Sequence, residues 1–336
     1  MSDTIVNTHA IEALLADFVP PKRATEPVKF GTIEAAYRTS RQWQSNEPGA
    51  WRTGSEVHKR EVSKMFRETF NPYQPSIIVW PEMSDQELRR LRSLPIWDIA
   101  VHTEGRARLH FAAYANSLAD AEMRSAILLN AWEENRHKEV LTNLVRTYGI
   151  QISDEPPYTQ ARDLEWAYLV TGFSECIDSF FAFGLFHLAQ QSGFFPVELV
   201  ETFEPVIQEE CRHILLFANW LAWHRANLSW WRRLHFEGRV VAVWLHIFWL
   251  RIGIARSMGS EKDGSAQNSN FTVTGAQSVS PVEVRFFDLM RLCLVENDRR
   301  FAGYDGRLVR PKTIPMLVRF ALRVSGFWKR QKPQPT

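Results

Sequence analysis

The chain has little cysteine: Cys176, Cys211 and Cys293 are its three among 336 residues. Their separation excludes a disulfide framework and a CxxC metal knuckle. A reducing compartment suits them, and a cytoplasmic location is expected. The N-terminus has no basic cluster followed by an apolar core and a small-residue cleavage site, so no secretory signal is expected. Charge of one sign is not in excess, since 40 basic against 38 acidic residues leave a formal +2. A field that weak does not recruit nucleic acid, and no nucleic-acid partner is expected. No GxGxxG occurs, so the chain has no flavin or nicotinamide fingerprint of its own. Long apolar runs are missing too. The most apolar stretch, Val240 to Leu250, falls short of the roughly 18 residues of a membrane span, and Arg239, His246 and Arg251 punctuate it. With Trp230, Trp231, Arg232 and Arg233 ahead of it, this segment suits a buried helix, a homodimer contact or a peripheral, lipid-facing amphipathic helix.

What is present is an ordinary globular composition, 45% hydrophobic and 23% charged, with 13 Trp and 22 Phe. Residues 1–90 mix short helical patterns with breakers at 20–21, 46–49 and 71–75, which suggests an extension wrapping a core. Ser84, followed by Asp85 and Glu87, forms the signature of a helix start. Proline-free stretches at 96–117 and 119–148, and then helical stretches at 162–191 and 196–228, predict two helical hairpins within a core domain at 91–230. A C-terminal extension at 231–336 would hold a helix to about Met258, a flexible Gly/Ser/Asn-rich loop at 259–280, and two helices at 281–301 and 313–328. No alternating strand pattern competes, so the expected class is all-α, a four-helix bundle with N-terminal and C-terminal helical extensions.

The second and fourth core helices carry the same pentapeptide pattern, Glu-Glu-x-Arg-His, at 133–137 and 209–213. A chain of this length holds a bare ExxH by chance about half the time, but an EExRH only on the order of 0.002 times. Residues i and i+3 share a helix face, so Glu134 with His137, and Glu210 with His213, each offer an oxygen and an imidazole nitrogen to one metal ion. A salt-bridged surface is the competing explanation, and the duplication counts against it. A binuclear site in a bundle also takes one carboxylate from each remaining helix. Glu104 stands 30 residues before Glu134, and Glu175 stands 35 before Glu210, with a turn near each midpoint. Antiparallel folding therefore sets each pair level. Glu122 competes with Glu104 but sits beside the turn. His102, His110, His187 and His224 have no ligand spacing and are expected in packing or surface roles. Carboxylates with two imidazoles favour iron, or manganese, over zinc.

The order Glu, ExxH, Glu, ExxH across residues 104–213 resembles the ferritin-like di-iron carboxylate superfamily. The hexapeptide Trp-Glu-Glu-Asn-Arg-His at 132–137 resembles that of the soluble acyl-carrier-protein desaturases and related oxygen-activating enzymes, although the Glu104–Glu134 interval is shorter here. The resemblance implies two iron ions held by Glu104, Glu134, His137, Glu175, Glu210 and His213. It also implies that Glu133 and Glu209 orient the ligand histidines, a role the second imidazole N–H requires in any case. Arg136 and Arg212 would neutralise the acids. It further places Ser179, with Asp178 beside it, where relatives carry a proton-delivering hydroxyl. Leu141 stands where the radical-generating subunit of ribonucleotide reductase has tyrosine, which disfavours a stable tyrosyl radical.

The expected function is an O2-dependent di-iron oxidoreductase that hydroxylates, desaturates or N-oxygenates an organic substrate. Phe173, Phe180, Phe181, Phe183 and Phe186 would either fill the core or line a cavity for an apolar or carrier-bound substrate. Electrons would come from a separate reductase or ferredoxin. The alternatives are a ferroxidase or iron-storage protein and a metal-free helical interaction protein.

Overall fold

The computed structural model describes residues 8–20, 41–94, 96–155, 157–260 and 285–330. Among them every regular element is helical. Three helices come first: α1 (Thr8–Asp17), α2 (Glu56–Glu68) and α3 (Asp85–Ser93). Ser84 and Glu87 close the capping box that the sequence predicts. Long helices follow from capped stretches. After α4 (Trp97–Ser117), the Asp120 carboxylate accepts the Met123 N–H at 2.9 Å and starts α5 (Ala121–Thr147). Asp163 accepts the Trp166 N–H at 2.9 Å and starts α6 (Leu164–Ser192), which ends at Gly193 with φ 60°.

The expected fourth helix is interrupted. α7 (Val197–Thr202) and α8 (Glu204–Asn227) meet at Phe203, because Pro205 in the first turn of α8 has no N–H to offer the preceding ladder. The chain continues through α9 (Trp230–Ser260), α10 (Phe286–Phe301) and α11 (Thr313–Arg330). Beyond Ser260, the loop expected at 259–280 lies outside the described residues, as do positions 1–7 and 21–40 of the N-terminal extension.

α4 packs on α5 and α6, and α8 packs on the same two, so the hairpins α4–α5 and α6–α8 stand side by side. Their shared interior holds Phe111, Ile127, Leu215 and Trp220, all at most 1% exposed. Each such side chain contributes about 1.5–3 kcal/mol by leaving water. Gly172 sets the spacing of α6 and α8, since a Cβ there would lie 2.3 Å from the Phe217 ring.

The N-terminal segment does more than wrap. α2 is wedged against both α5 and α8, and Val62, Met65 and Phe66, spaced as one helix face, are fully buried. On the far side α9, α10 and α11 all pack on α6. That makes α6, rather than residues 240–250, the described helix apolar and long enough to cross a membrane by composition. Half of its apolar window is buried inside the protein, and it carries Glu175 and Asp178.

Candidate metal centre

The duplicated pentapeptides face one another across α5 and α8. Glu134, His137, Glu210 and His213 each present one ligand atom, and the four atoms lie within 4.8 Å of one another. The imidazole centroids are 5.3 Å apart. His213 Nδ1 is 2.6 Å from Glu134 Oε1, while His137 Nδ1 is 3.3 Å from Glu210 Oε1 and 3.8 Å from Glu134 Oε2. Glu134 thus turns one oxygen toward each imidazole, as a carboxylate spanning two cations does. Glu104 joins from α4, its Oε2 3.8 Å from His137 Nδ1, in keeping with the level pairing of α4 and α5. Glu175 on α6 stands outside the four-atom cluster, with Glu134, Glu210 and Glu104 as the acids that bear most on it.

The outer pair of each motif is crossed between helices. Glu133 of α5 holds His213 of α8, its Oε2 2.9 Å from Nε2, and Glu209 of α8 holds His137 of α5 at 2.8 Å. A carboxylate only accepts, so each Nε2 donates outward and each Nδ1 is left to face the interior. The arginines cross as well. Arg212 Nη1 donates to both Glu133 oxygens at 2.7 and 2.8 Å, and Arg136 Nη2 donates to Glu209 Oε1 at 2.6 Å. Glu133, Glu209 and both arginines are at most 2% exposed.

Further guanidinium protons go to the end of α2 and the segment after it. Arg212 donates to the Phe66 carbonyl and, at 2.9 Å, to Thr69 Oγ1; Arg136 donates to the carbonyls of Asn71 and, at 3.0 Å, Tyr73. The Phe66 and Tyr73 rings lie 4.3 and 4.0 Å from those guanidinium carbons. The sequence does not identify these partners, because a backbone carbonyl has no residue signature. Only the spacing of Val62, Met65 and Phe66 marks a helix with a face to bury.

Two observations concern what the interior can accept. First, Glu134 Oε1, His137 Nδ1, His213 Nδ1 and both Glu175 oxygens are buried without a hydrogen bond of acceptable geometry, the 2.6 Å approach of His213 to Glu134 included. At about 1–3 kcal/mol each, five such atoms cost on the order of a whole domain's stability unless something pairs them. Second, six carboxylates at 104, 133, 134, 175, 209 and 210 face two guanidinium groups, which leaves four negative charges with the imidazoles neutral. That is the charge of two divalent cations.

Without a cation the protons redistribute. Burial raises Glu104 and Glu175 well above the carboxylate range, and the neighbouring acids add to it. Burial opposes ionisation of Glu133 too, but Arg212, His213 and Arg136 overcome it and bring that group to about 2. His213 is pulled down by burial, yet the acids around it, Glu134 foremost, raise it to about 9. His137 is raised well above its ordinary value against the same penalty, by Glu104, Glu134, Glu209 and Glu210. A proton on each imidazole does part of a cation's work.

Ser179 reaches the centre, its Oγ donating to Glu210 Oε2 at 3.0 Å. Asp178 does not join it, because its side chain is 43% exposed and both its oxygens accept from Arg251 of α9 at 2.6 and 2.7 Å. Glu122 pairs with Lys59 at 3.5 Å beside the α4–α5 turn and leaves Glu104 without a rival. His102, His110, His187 and His224 meet Ser153, Thr171, Glu296 and Glu165 respectively. The phenylalanines of α6 are taken up in packing: Phe173 lies against Phe217 and Trp244, Phe183 against Phe301, and Phe180 with Leu289 and Met290. Cys211, next to Glu210, is pushed up to about 12 by burial and contacts the Ile207 carbonyl at 3.4 Å, so it stays a thiol. The donors at the centre are therefore oxygens and imidazole nitrogens, a set suited to iron or manganese.

No family model, curated protein or solved structure matches this chain. The fold and the site define an all-helical protein with a buried glutamate–histidine cluster that could hold metal.

Proposed function

We propose that the chain is a ferritin-like di-iron carboxylate protein that couples O2 to the hydroxylation, desaturation or N-oxygenation of an organic substrate. The observation that carries this is the convergence of Glu134, His137 and His213, each with an unpartnered buried atom, on Glu210, with the unpartnered Glu175 oxygens on the neighbouring helix, where six acids outnumber two arginines. The α4–α5 and α6–α8 hairpins, meeting as a ring of four, support the ferritin-like architecture. Glu134 and Glu210 would hold the two ions with His137 and His213, while Glu104 and Glu175 complete the donor set from the flanking helices. Two ferrous ions supply the one-electron chemistry that side chains lack. The chain's own part is to fix the imidazoles through Glu133 and Glu209, to keep the interior dry, and to hold a proton on Ser179 Oγ beside Glu210. An external reductase or ferredoxin supplies electrons.

Iron stoichiometry after anaerobic Fe(II) loading tests the proposal. About two ions per chain are expected for the wild type, and fewer than half an ion for Glu134→Ala with Glu210→Ala. Iron uptake that ignores this double substitution sinks the proposal. O2 consumption by the loaded protein without any organic substrate, in a shell-like assembly, would replace it with a ferroxidase.

A further inference from the structure

α9 and α11 both rest on α6, and each turns its other side to solvent. In α9 the buried stripe is Phe236, Val240, Val243 and Ile247, at i, i+4, i+7 and i+11. Opposite it, Leu234, Val241, Leu245, Phe248 and Trp249 are 56–63% exposed. From Leu234 to Trp249 this face runs about 22 Å at 1.5 Å per residue. The charged residues within that stretch stand at its flanks and are engaged: Glu237 with Arg225 at 2.9 Å, and Arg239 with Asp163 at 2.8 Å. α11 repeats the pattern, with Met316, Leu317 and Phe320 55–66% exposed and Val324 40% exposed.

Among the described residues, the unpaired charge of these two helices lies at the margins and has one sign. Trp230 and Trp231, each 65% exposed and stacked at 3.5 Å, precede Arg232 and Arg233, which are exposed and meet no acid among the described residues. Arg323 of α11 is likewise exposed and unpaired there. The 31 residues of α9 contain one acid, Glu237, and the 18 of α11 contain none. A second copy seated on this surface would set arginine against arginine, and the one acid of the two helices, Glu237, is already held by Arg225. Anionic headgroups receive them readily. Tryptophan beside arginine at the edge of an aliphatic stripe suits the boundary between headgroups and acyl chains.

We infer that the exposed faces of α9 and α11 form a docking surface for a lipid leaflet rich in anionic headgroups. The buried stripe of α9 stays on α6, so the helix lies along the membrane and does not cross it. This inference is independent of the metal centre. It is tested by co-sedimenting the full-length protein with vesicles of phosphatidylcholine, alone or with roughly one-third phosphatidylglycerol. The wild type is expected to sediment with the anionic vesicles and to be released by high salt. Arg232→Gln with Arg233→Gln weakens that binding about fivefold per arginine. Trp249→Glu with Phe320→Glu abolishes it, while circular dichroism keeps the wild-type helix content. Brominated lipids should quench part of the wild-type tryptophan fluorescence, a readout that needs no variant. Wild-type protein left in the supernatant with both vesicle types, with no quenching, overturns the inference. So does a dimer by light scattering that Trp249→Glu with Phe320→Glu splits.

Discussion

The interior between α5 and α8 and the outer face of α9 invert the usual arrangement in opposite senses. One encloses six carboxylates, three of them fully buried, with two buried guanidinium groups and two buried imidazoles; the other leaves Leu234, Val241, Leu245, Phe248 and Trp249 in water. The interior is tightly specified: every buried charge of the outer pairs has a named partner within 3 Å, and Glu134, His137 and His213, each with an unpaired atom, meet in one place. The face of α9 specifies little beyond apolarity and a basic margin. Burying charge is costly per group, so each group is accounted for, whereas exposing a leucine costs almost nothing and leaves the face tolerant of change.

The sharpest way to break that comparison is to leave one buried charge alone. Arg212→Met removes the counter-charge of Glu133, and urea denaturation should register a loss of about 3–5 kcal/mol. Arg212→Met with Glu133→Gln should recover part of it. Next comes Glu209→Gln, which leaves His137 with a neutral partner. Iron titration should show a 10–100-fold weaker affinity, by the usual effect of such partners.

The pH dependence of metal-free protein follows from the raised and lowered groups. His213, at about 9 against an ordinary 6.5, contributes stability that is complete below 6.5 and lost as pH rises through 9. Glu104 and Glu175, raised by burial and repulsion, act in the same direction from 4.5 upward. Glu133, at about 2 against 4.5, contributes stability present above 4.5 and lost as pH falls through 2. The melting temperature should therefore fall on the alkaline side from pH 6.5 to 9. Fe(II) should restore it, with affinity rising over the same window as the imidazole protons leave. A melting temperature that rises between pH 6.5 and 9 without metal would contradict the arrangement.

Ser179→Ala should cost about 1 kcal/mol, the worth of one hydrogen bond to Glu210, and leave iron stoichiometry at the wild-type value. At the small end, Trp249→Glu on the exposed face should change unfolding free energy by no more than about 0.5 kcal/mol. A loss of several kcal/mol there would erase the contrast between the two regions.

The sequence carries the centre because its chemistry is written in local spacing. Two EExRH segments state which residues share a face, and the intervals to Glu104 and Glu175 state their heights. Glu133 and Glu209 contact the imidazoles, and Arg212 and Arg136 contact those two acids. What is not legible depends on contacts distant in sequence. Asp178 is drawn off by Arg251, 73 residues away, and nothing near either residue announces it. The part played by the end of α2 and the segment after it rests on carbonyls of Phe66, Asn71 and Tyr73, and any residue type supplies a carbonyl. The break at Phe203 follows from Pro205, but a proline in a first helical turn is as compatible with a start as with a continuous helix entered from 196. The span of Glu134 across both imidazoles needed three dimensions.

The crossed bracing of the two histidines makes the centre a check on alignment. If α8 slid one turn along α5, about 5.4 Å, Glu133 would lose His213 and Arg212 together, and Glu209 would lose His137 and Arg136. Apolar side chains tolerate such a slip with modest repacking, but four stranded charges do not. The polar pairs therefore select one mating of the hairpins from several that the apolar residues alone would accept, and this selection precedes any metal.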